Sequence, residues 1–120
     1  MQKVIIVDDN ESIPEAVSLV LKRQSMEVVA LRSPAKLENQ IREHQPALLL
    51  MDIFMGAYDG RDVCRSLKNN PVAEALPIIL FTAQQYTPES VEASGADAIL
   101  DKPFSMKTLF GVVNEVLHRH

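Results

Sequence analysis

Short apolar runs rich in valine, isoleucine and leucine alternate along this chain with amphipathic stretches. An unbroken apolar run of this length indicates a strand that is buried on both faces, as in a parallel sheet covered by helices. The runs predict five strands, at residues 4–7, 26–31, 47–51, 77–81 and 98–100.

Apolar residues recur at intervals of three and four after each run, which is the spacing of an amphipathic helix. This spacing predicts five helices: over residues 13–21, over 33–44, from a cap at Asp59 to a stop at residues 69–71, over 88–94, and from 105 to the end. Ser33 is expected to cap the second helix, with Pro34 at its first position, where a missing N–H is tolerated. Ala16 and Met106 are expected on the apolar faces of the first and last helices.

Five strands separated by helices form a (βα)5 pattern. This pattern predicts the α/β class: a doubly wound, five-stranded parallel sheet with helices on both faces. No internal repeat, low-complexity tract or linker interrupts the pattern, so we expect one domain over residues 1–120. In sheets of this kind the functional crevice lies at the carboxyl ends of the strands, so the residues that follow the strands are the first candidates for a site.

Composition and charge narrow the classes of function. The chain has 120 residues, with 12 lysines and arginines against 16 acidic residues, for a formal charge of -4. This acidic balance argues against direct binding of nucleic acid, which requires a basic surface. The single cysteine, Cys64, excludes an internal disulfide and is expected in the core. No apolar run approaches the ~20 residues of a membrane span and the first residues lack a signal-peptide layout, so we expect a cytoplasmic protein with no membrane association.

Charged and hydroxyl side chains follow four of the five predicted strands. Asp8 and Asp9 follow the first strand, Asp52 the third and Thr82 the fourth, while Lys102 comes two residues after the fifth. Each of these residues alone is typical of a turn, a helix cap or a solvated surface. Together they fall at the edge of the sheet where the carboxyl ends of parallel strands meet, and we therefore expect them to converge.

The charges of this set predict its chemistry. Three aspartates face one lysine, and crowded carboxylates resist ionisation unless a cation lies between them. Mg²⁺ is suited to such a place, because it prefers one or two carboxylates together with waters and a phosphate oxygen. A lysine and a hydroxyl beside Mg²⁺ are the groups that neutralise a phosphoryl group during transfer. The pattern indicates Mg²⁺-assisted phosphoryl chemistry on a carboxylate, without identifying which carboxylate.

Four short motifs stand in order at the predicted strand ends: VDDN at residues 7–10, MDIFM at 51–55 with Asp59 and Gly60 after it, FTA at 81–83, and KPF at 102–104. Together they resemble the receiver domain of two-component response regulators, and the resemblance covers essentially the whole chain. It implies a flavodoxin-like strand order, 2-1-3-4-5.

The resemblance implies a Mg²⁺ site formed by four residues. Asp9 is similar to the acidic residue that binds the metal directly, and Asp8 to its partner, which often acts through water. Asp52 resembles the phosphoacceptor, whose carboxylate also faces the metal. The backbone carbonyl of Phe54 would complete the protein's share of the coordination shell.

The resemblance also assigns the groups that stabilise the phosphoryl group. Asp52 would form an acyl phosphate, and Thr82 resembles the hydroxyl that turns toward the phosphoryl oxygens. Lys102 resembles the lysine that pairs with them, and the bond between Lys102 and Pro103 is similar to the family's cis peptide, a form that proline makes accessible.

Three positions depart from the family pattern. Gly56 stands where family members usually have proline, so the loop after the phosphoacceptor is expected to be more flexible. Phe54 occupies a position that is often polar. Ile99 replaces the tyrosine or phenylalanine that commonly swings with the threonine, so the phosphorylation chemistry is expected to be intact while the usual coupling to the output lacks its aromatic side chain.

The resemblance implies a signalling phosphoprotein rather than an enzyme with its own substrate. It would accept a phosphoryl group from a sensor histidine kinase or a histidine phosphotransfer protein, assist its own phosphorylation and dephosphorylation, and then switch its interactions with an output partner. We expect a monomer or a weak, phosphorylation-dependent dimer. The exposed side of the last helix carries few cations before His118 and Arg119, unlike the helix typical of receivers fused to winged-helix DNA-binding domains.

Three alternative functions are open at this point. A pseudo-receiver would bind partners without being phosphorylated, although the complete set of aspartates, threonine and lysine argues against it. A Mg²⁺-dependent phosphatase with an aspartyl nucleophile needs a second carboxylate two residues later, where this chain has Phe54. A flavodoxin-like carrier needs a glycine- or hydroxyl-rich phosphate loop after the first strand, where this chain is acidic.

Overall fold

The computed structural model describes residues 2–10 and 12–119. Within these residues the elements follow in the order β1 (Gln2–Val7), α1 (Ser12–Lys22), β2 (Met26–Leu31), α2 (Leu37–His44), β3 (Leu48–Asp52), β4 (Phe54–Met55), β5 (Tyr58–Asp59), α3 (Gly60–Lys68), β6 (Ile78–Thr82), α4 (Pro88–Ser94), β7 (Ala98–Asp101) and α5 (Met106–Arg119). None of the described helices combines the length and the apolar character needed to cross a membrane. The expected end of the last helix at His120 lies outside the described residues.

Five of the strands form one parallel sheet in the order β2-β1-β3-β6-β7. Counted along the chain without the short strands β4 and β5, this order is 2-1-3-4-5, as predicted. Neighbouring residues of β1 point to opposite faces of the sheet. Val4 and Ile6 pack in a cluster with α1 and α5, whereas Ile5 and Val7 pack with α2, α3 and α4. The sheet is therefore covered by helices on both faces, and the prediction of a doubly wound α/β fold is confirmed.

The strand ends lie slightly beyond their predicted positions. β2 and α4 have the predicted bounds, but β3, β6 and β7 each continue one residue farther, to Asp52, Thr82 and Asp101. The extra residues are held by the ladder itself, since Asp52 is paired with Phe81 and Thr82 with Asp101. Two candidate site residues, Asp52 and Thr82, are thus the last residues of strands rather than the first residues of loops, and the sheet fixes their backbones.

The predicted start of the second helix is wrong. The Ser33 hydroxyl accepts a hydrogen bond from the Ala35 N–H at 3.0 Å, and the Leu37 N–H donates to the Pro34 carbonyl at 3.1 Å. These local bonds form turns rather than a helix, so α2 begins at Leu37. Ser33 therefore organises the approach to the helix instead of capping it.

Two residues expected on buried helix faces are exposed. The buried arc of α1 comprises Pro14, Val17, Val20 and Leu21, and Ala16 lies just outside it. Met106 is the first residue of α5 and is 53% exposed, because the buried face of that helix begins one turn later, at Leu109. Ala16 and Met106 both border a crevice of about 60 Å³ between α1 and α5, so they mark a place where the two helices pack incompletely. Cys64 is fully buried in the core, as expected.

Candidate functional site

Three carboxylates converge at the carboxyl end of the sheet. Asp8 directly follows β1, Asp9 comes next, and Asp52 ends the neighbouring strand β3. An oxygen from each of the three lies within 4.8 Å of the others. Asp8 is 1% exposed and Asp52 is 7% exposed, whereas Asp9 faces solvent. The expected convergence is therefore present, with one open side at Asp9.

Lys102 is shared between two of these carboxylates. Its Nζ atom lies 3.3 Å from Oδ2 of Asp8 and 3.3 Å from Oδ2 of Asp52. The same ammonium lies 4.7 Å from the centre of the Phe81 ring, a cation–π contact that helps to hold it over the site. The peptide bond between Lys102 and Pro103 is cis, as the resemblance implied. One lysine against three aspartates leaves the cluster two positive charges short of balance.

Asp52 is the carboxylate whose protonation is most affected by this environment. Its pKa is raised above the ordinary value of 3.8, chiefly because burial penalises the charged form. The positive charge of Lys102 opposes this rise, and the negative charge of Asp8 adds to it. The ionised Asp52 is therefore less stable here than in water, and a further positive charge at the site would stabilise it.

Thr82 is buried and ends β6, the strand next to the one that carries Asp52. Its Oγ1 atom accepts a hydrogen bond from the Gln84 N–H at 3.0 Å, and its carbonyl accepts one from the Lys102 N–H at 2.8 Å. The second bond ties the strand end that carries Thr82 to the residue that supplies the ammonium. The hydroxyl proton of Thr82 is not required by the bond from Gln84, so it is available to donate to an incoming oxygen.

Phe54 lies beside Asp52 and is bonded to it through the backbone. Its backbone N–H donates to Oδ1 of Asp52 at 3.3 Å, and its half-buried ring packs against the core. Gly56, two residues later, has a φ of +60°, and a side chain built there would meet nothing within 4 Å. The tip of this loop is therefore open. The role of the Phe54 carbonyl as a metal ligand remains a prediction.

A short hairpin next to Asp52 was not predicted from the sequence. β4 and β5 pair antiparallel, with Phe54 opposite Asp59, and the chain then returns to the backbone of β3. The Gly60 N–H donates to the Ile53 carbonyl at 2.6 Å, and a Cβ at Gly60 would lie only 2.3 Å from the Asp52 carbonyl oxygen. Only glycine permits this approach. The signal for this hairpin in the sequence was the Asp59-Gly60 pair that follows the MDIFM motif, but a pair of residues does not by itself specify a hairpin.

Asp59 caps α3, as predicted, and also holds an arginine. Its Oδ1 accepts hydrogen bonds from the backbone N–H and from Nε of Arg61, each at 2.9 Å, and Oδ2 lies 2.6 Å from Nη2. The Arg61 side-chain hydrogen bonds are the main reason why the pKa of Asp59 is below its ordinary value. Arg61 carried no signal in the sequence, because one arginine near a helix start is usually a solvated side chain.

A tyrosine packs against the same core cluster as Ile99, the residue that replaces the expected aromatic side chain. Ile99 is half-buried and packs, together with Tyr86, against the core cluster on its face of the sheet. Tyr86 belongs to the segment between Thr82 and α4, and its hydroxyl donates to Oδ1 of Asp101 at 2.8 Å. This bond raises the pKa of Tyr86. Sequence reasoning missed Tyr86 because its partner, Asp101, lies 15 residues farther along the chain, at the end of β7.

The donor chemistry of the site fits a hard divalent cation. Carboxylate oxygens are the ligands that Mg²⁺ prefers, and the cluster formed by Asp8, Asp9 and Asp52 supplies three of them with a deficit of positive charge. A lysine and a hydroxyl on the other side provide donors for the oxygens of an anion. The arrangement is thus suited to hold a cation and a phosphoryl group side by side, with Asp52 touching both.

Comparisons with known proteins agree with this geometry. The family model of the response regulator receiver domain matches residues 4–114. The phosphate regulon transcriptional regulatory protein PhoB of Rhizobium meliloti is 32% identical over 121 residues, which cover 99% of this chain and 53% of PhoB. The chain spans about half the length of the curated relatives it matches. PhoB is named as a transcriptional regulatory protein, the kind of protein against which the scarcity of cations on the exposed side of α5 argues.

Solved structures extend the likeness to the fold. A putative response regulator from Chloroflexus aurantiacus is 30% identical and superimposes with a TM-score of 0.90, with 98% of each chain covered. The receiver domain of the sensor histidine kinase PA1611 from Pseudomonas aeruginosa is 20% identical, with a TM-score of 0.85 and 98% of each chain covered. That structure is described with a magnesium ion coordinated in its active site cleft. At such low identity the second comparison shows the fold alone.

Proposed function

The chain belongs to the family of response regulator receiver domains, and on that basis we propose that it is a phosphoacceptor in a two-component phosphorelay. Asp52 would take a phosphoryl group from a sensor histidine kinase or a histidine phosphotransfer protein, and the change at the site would alter the binding of an output partner. One observation carries the proposal: Lys102 lies 3.3 Å from both Asp8 and Asp52 in a cluster that still lacks positive charge.

The residues of the site have distinct tasks in this reaction. A carboxylate oxygen of Asp52 forms a bond to phosphorus while the bond from phosphorus to the donor's histidine nitrogen breaks, and its electron pair stays on that nitrogen. Burial raises the pKa of Asp52 in the cation-free site, and a bound cation together with Lys102 would keep its carboxylate ionised as the nucleophile. Lys102 neutralises a phosphoryl oxygen, and the Thr82 hydroxyl donates to another.

Mg²⁺ is the cofactor that best fits the acidic side of the site. Asp8, Asp9, Asp52 and the carbonyl of Phe54 would hold it, and when bound it supplies positive charge to the transferring phosphoryl group. After transfer, the acyl phosphate contributes a charge of about -2, and Asp8 and Asp9 contribute about -2 more. Lys102 and a divalent cation together contribute about +3, so the site is close to charge balance. The magnesium described in the PA1611 receiver supports this choice by likeness of fold.

The proposal includes a cellular setting. We expect a cytoplasmic signalling phosphoprotein that assists its own phosphorylation and dephosphorylation, turns over no separate substrate, and is a monomer or a weak phosphorylation-dependent dimer. The charge of -4 argues against direct nucleic-acid binding by this domain. This expectation does not extend to the part of PhoB that the chain does not match.

Acetyl phosphate provides the test, because it is a small phosphodonor that requires no partner. Intact-mass analysis after incubation with Mg²⁺ is expected to show one phosphoryl adduct in the wild type. Chelation of Mg²⁺ and the substitution Asp52→Asn are each expected to abolish it. The matched control is Asp97→Asn, which changes an aspartate at the opposite end of the sheet and should keep the adduct.

The pseudo-receiver alternative gives the opposite result. A folded wild-type protein that forms no adduct with acetyl phosphate, beryllofluoride or a partner phosphohistidine would favour phosphorylation-independent binding. An adduct that persists in Asp52→Asn would show that another residue is the phosphoacceptor.

A further inference from the structure

Arg61 joins three parts of the molecule through one side chain. Its Nε and Nη2 atoms donate to the carboxylate of Asp59, and its Nη1 donates to the Ser90 hydroxyl of α4 at 3.0 Å. The centre of its guanidinium lies 5.2 Å from the centre of the Phe54 ring. The hairpin, α3 and α4 therefore meet at this arginine.

These contacts require the geometry of arginine. The planar guanidinium can grip a carboxylate with two N–H groups, donate to a hydroxyl with a third and still stack on an aromatic face. A lysine in the same place is a point charge without a fork or a face. The Arg61 side chain is 20% exposed, so its interactions are partly shielded from water and more persistent than those of a solvated arginine.

The contacts of Arg61 reach the phosphoacceptor through the hairpin. Phe54 and Asp59 are paired residues of β4 and β5, so Arg61 holds the hairpin base from both strands. Phe54 is also bonded through its N–H to the Asp52 carboxylate. At the hairpin tip, a Cβ built at Gly56 would meet nothing within 4 Å. The placement of the Phe54 backbone therefore depends on the base of the hairpin.

We propose that Arg61 is a positioning residue for the cation site: by gripping Asp59 and stacking on Phe54, it keeps the Phe54 backbone in the place from which its carbonyl can bind a divalent cation beside Asp52. The inference rests on the proposed function, since it takes the Phe54 carbonyl as a ligand. It adds a residue that touches neither the cation nor the phosphoryl group.

The charge of Arg61 and its positioning role predict opposite changes in Mg²⁺ affinity when Arg61 is replaced. Removing a positive charge near an acidic cation site should favour Mg²⁺ slightly, if electrostatics alone decides. Loss of the grip on the hairpin should weaken Mg²⁺ binding, because a ligand that must be ordered on binding costs entropy. The direction of the change therefore separates the two effects.

The test measures Mg²⁺ binding to the unphosphorylated protein by NMR titration, following the amides of residues 52–60. Arg61→Gln is expected to bind Mg²⁺ roughly threefold to tenfold more weakly than the wild type, less than for residues bonded directly to a metal ligand. Arg61→Lys keeps the charge and is expected to weaken binding as well. Asp59→Asn keeps a good helix cap but loses the ion pair, so it should fall between Arg61→Gln and the wild type.

Arg65→Gln is the matched control, because Arg65 lies on the same helix and pairs with the exposed Asp62 at 3.1 Å. It should leave Mg²⁺ affinity unchanged. Equal or tighter Mg²⁺ binding by both Arg61→Gln and Arg61→Lys, in folded proteins, would overturn the inference and leave the phosphoacceptor role of Asp52 intact. A wild type that binds no Mg²⁺ would overturn both.

Discussion

The two ends of the central sheet each hold a lysine–aspartate cluster, and the clusters differ in how their charges are balanced. At the amino end, Nζ of Lys68 lies 3.0 Å from Oδ2 of Asp97 and donates to the Leu76 carbonyl at 2.8 Å. The same Asp97 oxygen accepts a hydrogen bond from the Ile78 N–H at 2.8 Å. One ion pair and bonds to two backbone groups thus join α3 to the starts of β6 and β7.

At the carboxyl end, Lys102 has a comparable burial but serves two carboxylates at once, each at 3.3 Å, with a third close by. Both Lys102 distances are longer than the 3.0 Å of the amino-end pair, since this ammonium lies between two carboxylates rather than against one. The amino-end cluster is complete with the groups that the chain provides. The carboxyl-end cluster is not, and an incomplete charge balance in a cleft marks a site for a ligand.

Glycine substitutions at the two ends should produce the largest difference in stability. Gly60→Ala places a Cβ against the backbone of Asp52, which cannot move aside, and is expected to cost about 3 kcal/mol of unfolding free energy and to abolish phosphorylation. In Gly95→Ala the new Cβ contacts only the flexible Lys68 side chain, and the residue must adopt a φ of +81°, so the substitution should cost about 1 kcal/mol of unfolding free energy.

Urea unfolding and acetyl phosphate labelling of the two variants provide the measurement. Gly95→Ala is the matched control and should keep full labelling. If Gly60→Ala were labelled as well as Gly95→Ala, the close return of the hairpin to Asp52 would have no bearing on the site.

Lysine substitutions should separate the clusters by their response to Mg²⁺. Lys68→Met removes the ion pair between Lys68 and Asp97 and is expected to lose about 2 kcal/mol with or without Mg²⁺. Lys102→Met is expected to lose a similar amount in the presence of a chelator. Millimolar Mg²⁺ should restore most of that loss, because the cation supplies the missing positive charge. Unfolding curves in both conditions test this. A recovery by Mg²⁺ that was equal in both variants would contradict the comparison.

Neutralising one aspartate at each end should change stability in opposite directions. The raised pKa of Asp52 means that its surroundings disfavour the charge, so without Mg²⁺ Asp52→Asn is expected to gain about 1 kcal/mol at neutral pH. Asp97→Asn weakens a completed pair and is expected to lose about 1 kcal/mol. Chemical denaturation at matched ionic strength measures both. A loss of stability in Asp52→Asn would show that the site is balanced by Lys102 alone.

The pH dependence of the stability of Asp52→Asn, relative to the wild type, tests the same claim independently. Because the pKa of Asp52 is higher in the folded chain than the ordinary 3.8, the folded state takes up the proton first as the pH falls. The penalty of the charged Asp52 is complete above the raised pKa and disappears as the pH falls through it toward 3.8. The advantage of Asp52→Asn should therefore shrink in that window. A stability advantage of Asp52→Asn that increased as the pH fell would contradict the raised pKa of Asp52.

The sheet and the convergence of Asp8, Asp52 and Lys102 were predictable from the sequence, since parallel strands bring their carboxyl ends to one edge. That logic follows chain order alone and needs no knowledge of side-chain contacts. It succeeded because β1, β3, β6 and β7 are continuous apolar runs whose ends are marked by polar residues.

The parts that were missed depend on contacts between distant residues or on very short elements. Strands β4 and β5 have two residues each, too few to show a period. The contacts of Arg61 with Ser90, and of Tyr86 with Asp101, span 29 and 15 residues. No local pattern encodes either. The start of α2 was misplaced because Ser33 can bond to a turn as readily as to a helix end.

The most direct measurement locates the phosphoryl group. Borohydride reduces an acyl phosphate but not a carboxylate, and it converts a phosphorylated aspartate to homoserine, which peptide mass spectrometry identifies. After acetyl phosphate and Mg²⁺, the expected result is homoserine at position 52 and unmodified aspartate at positions 8, 9 and 97, with no homoserine when Mg²⁺ is chelated. Homoserine at another position, or none in a folded protein treated with Mg²⁺, would contradict the assignment of Asp52 as the phosphoacceptor.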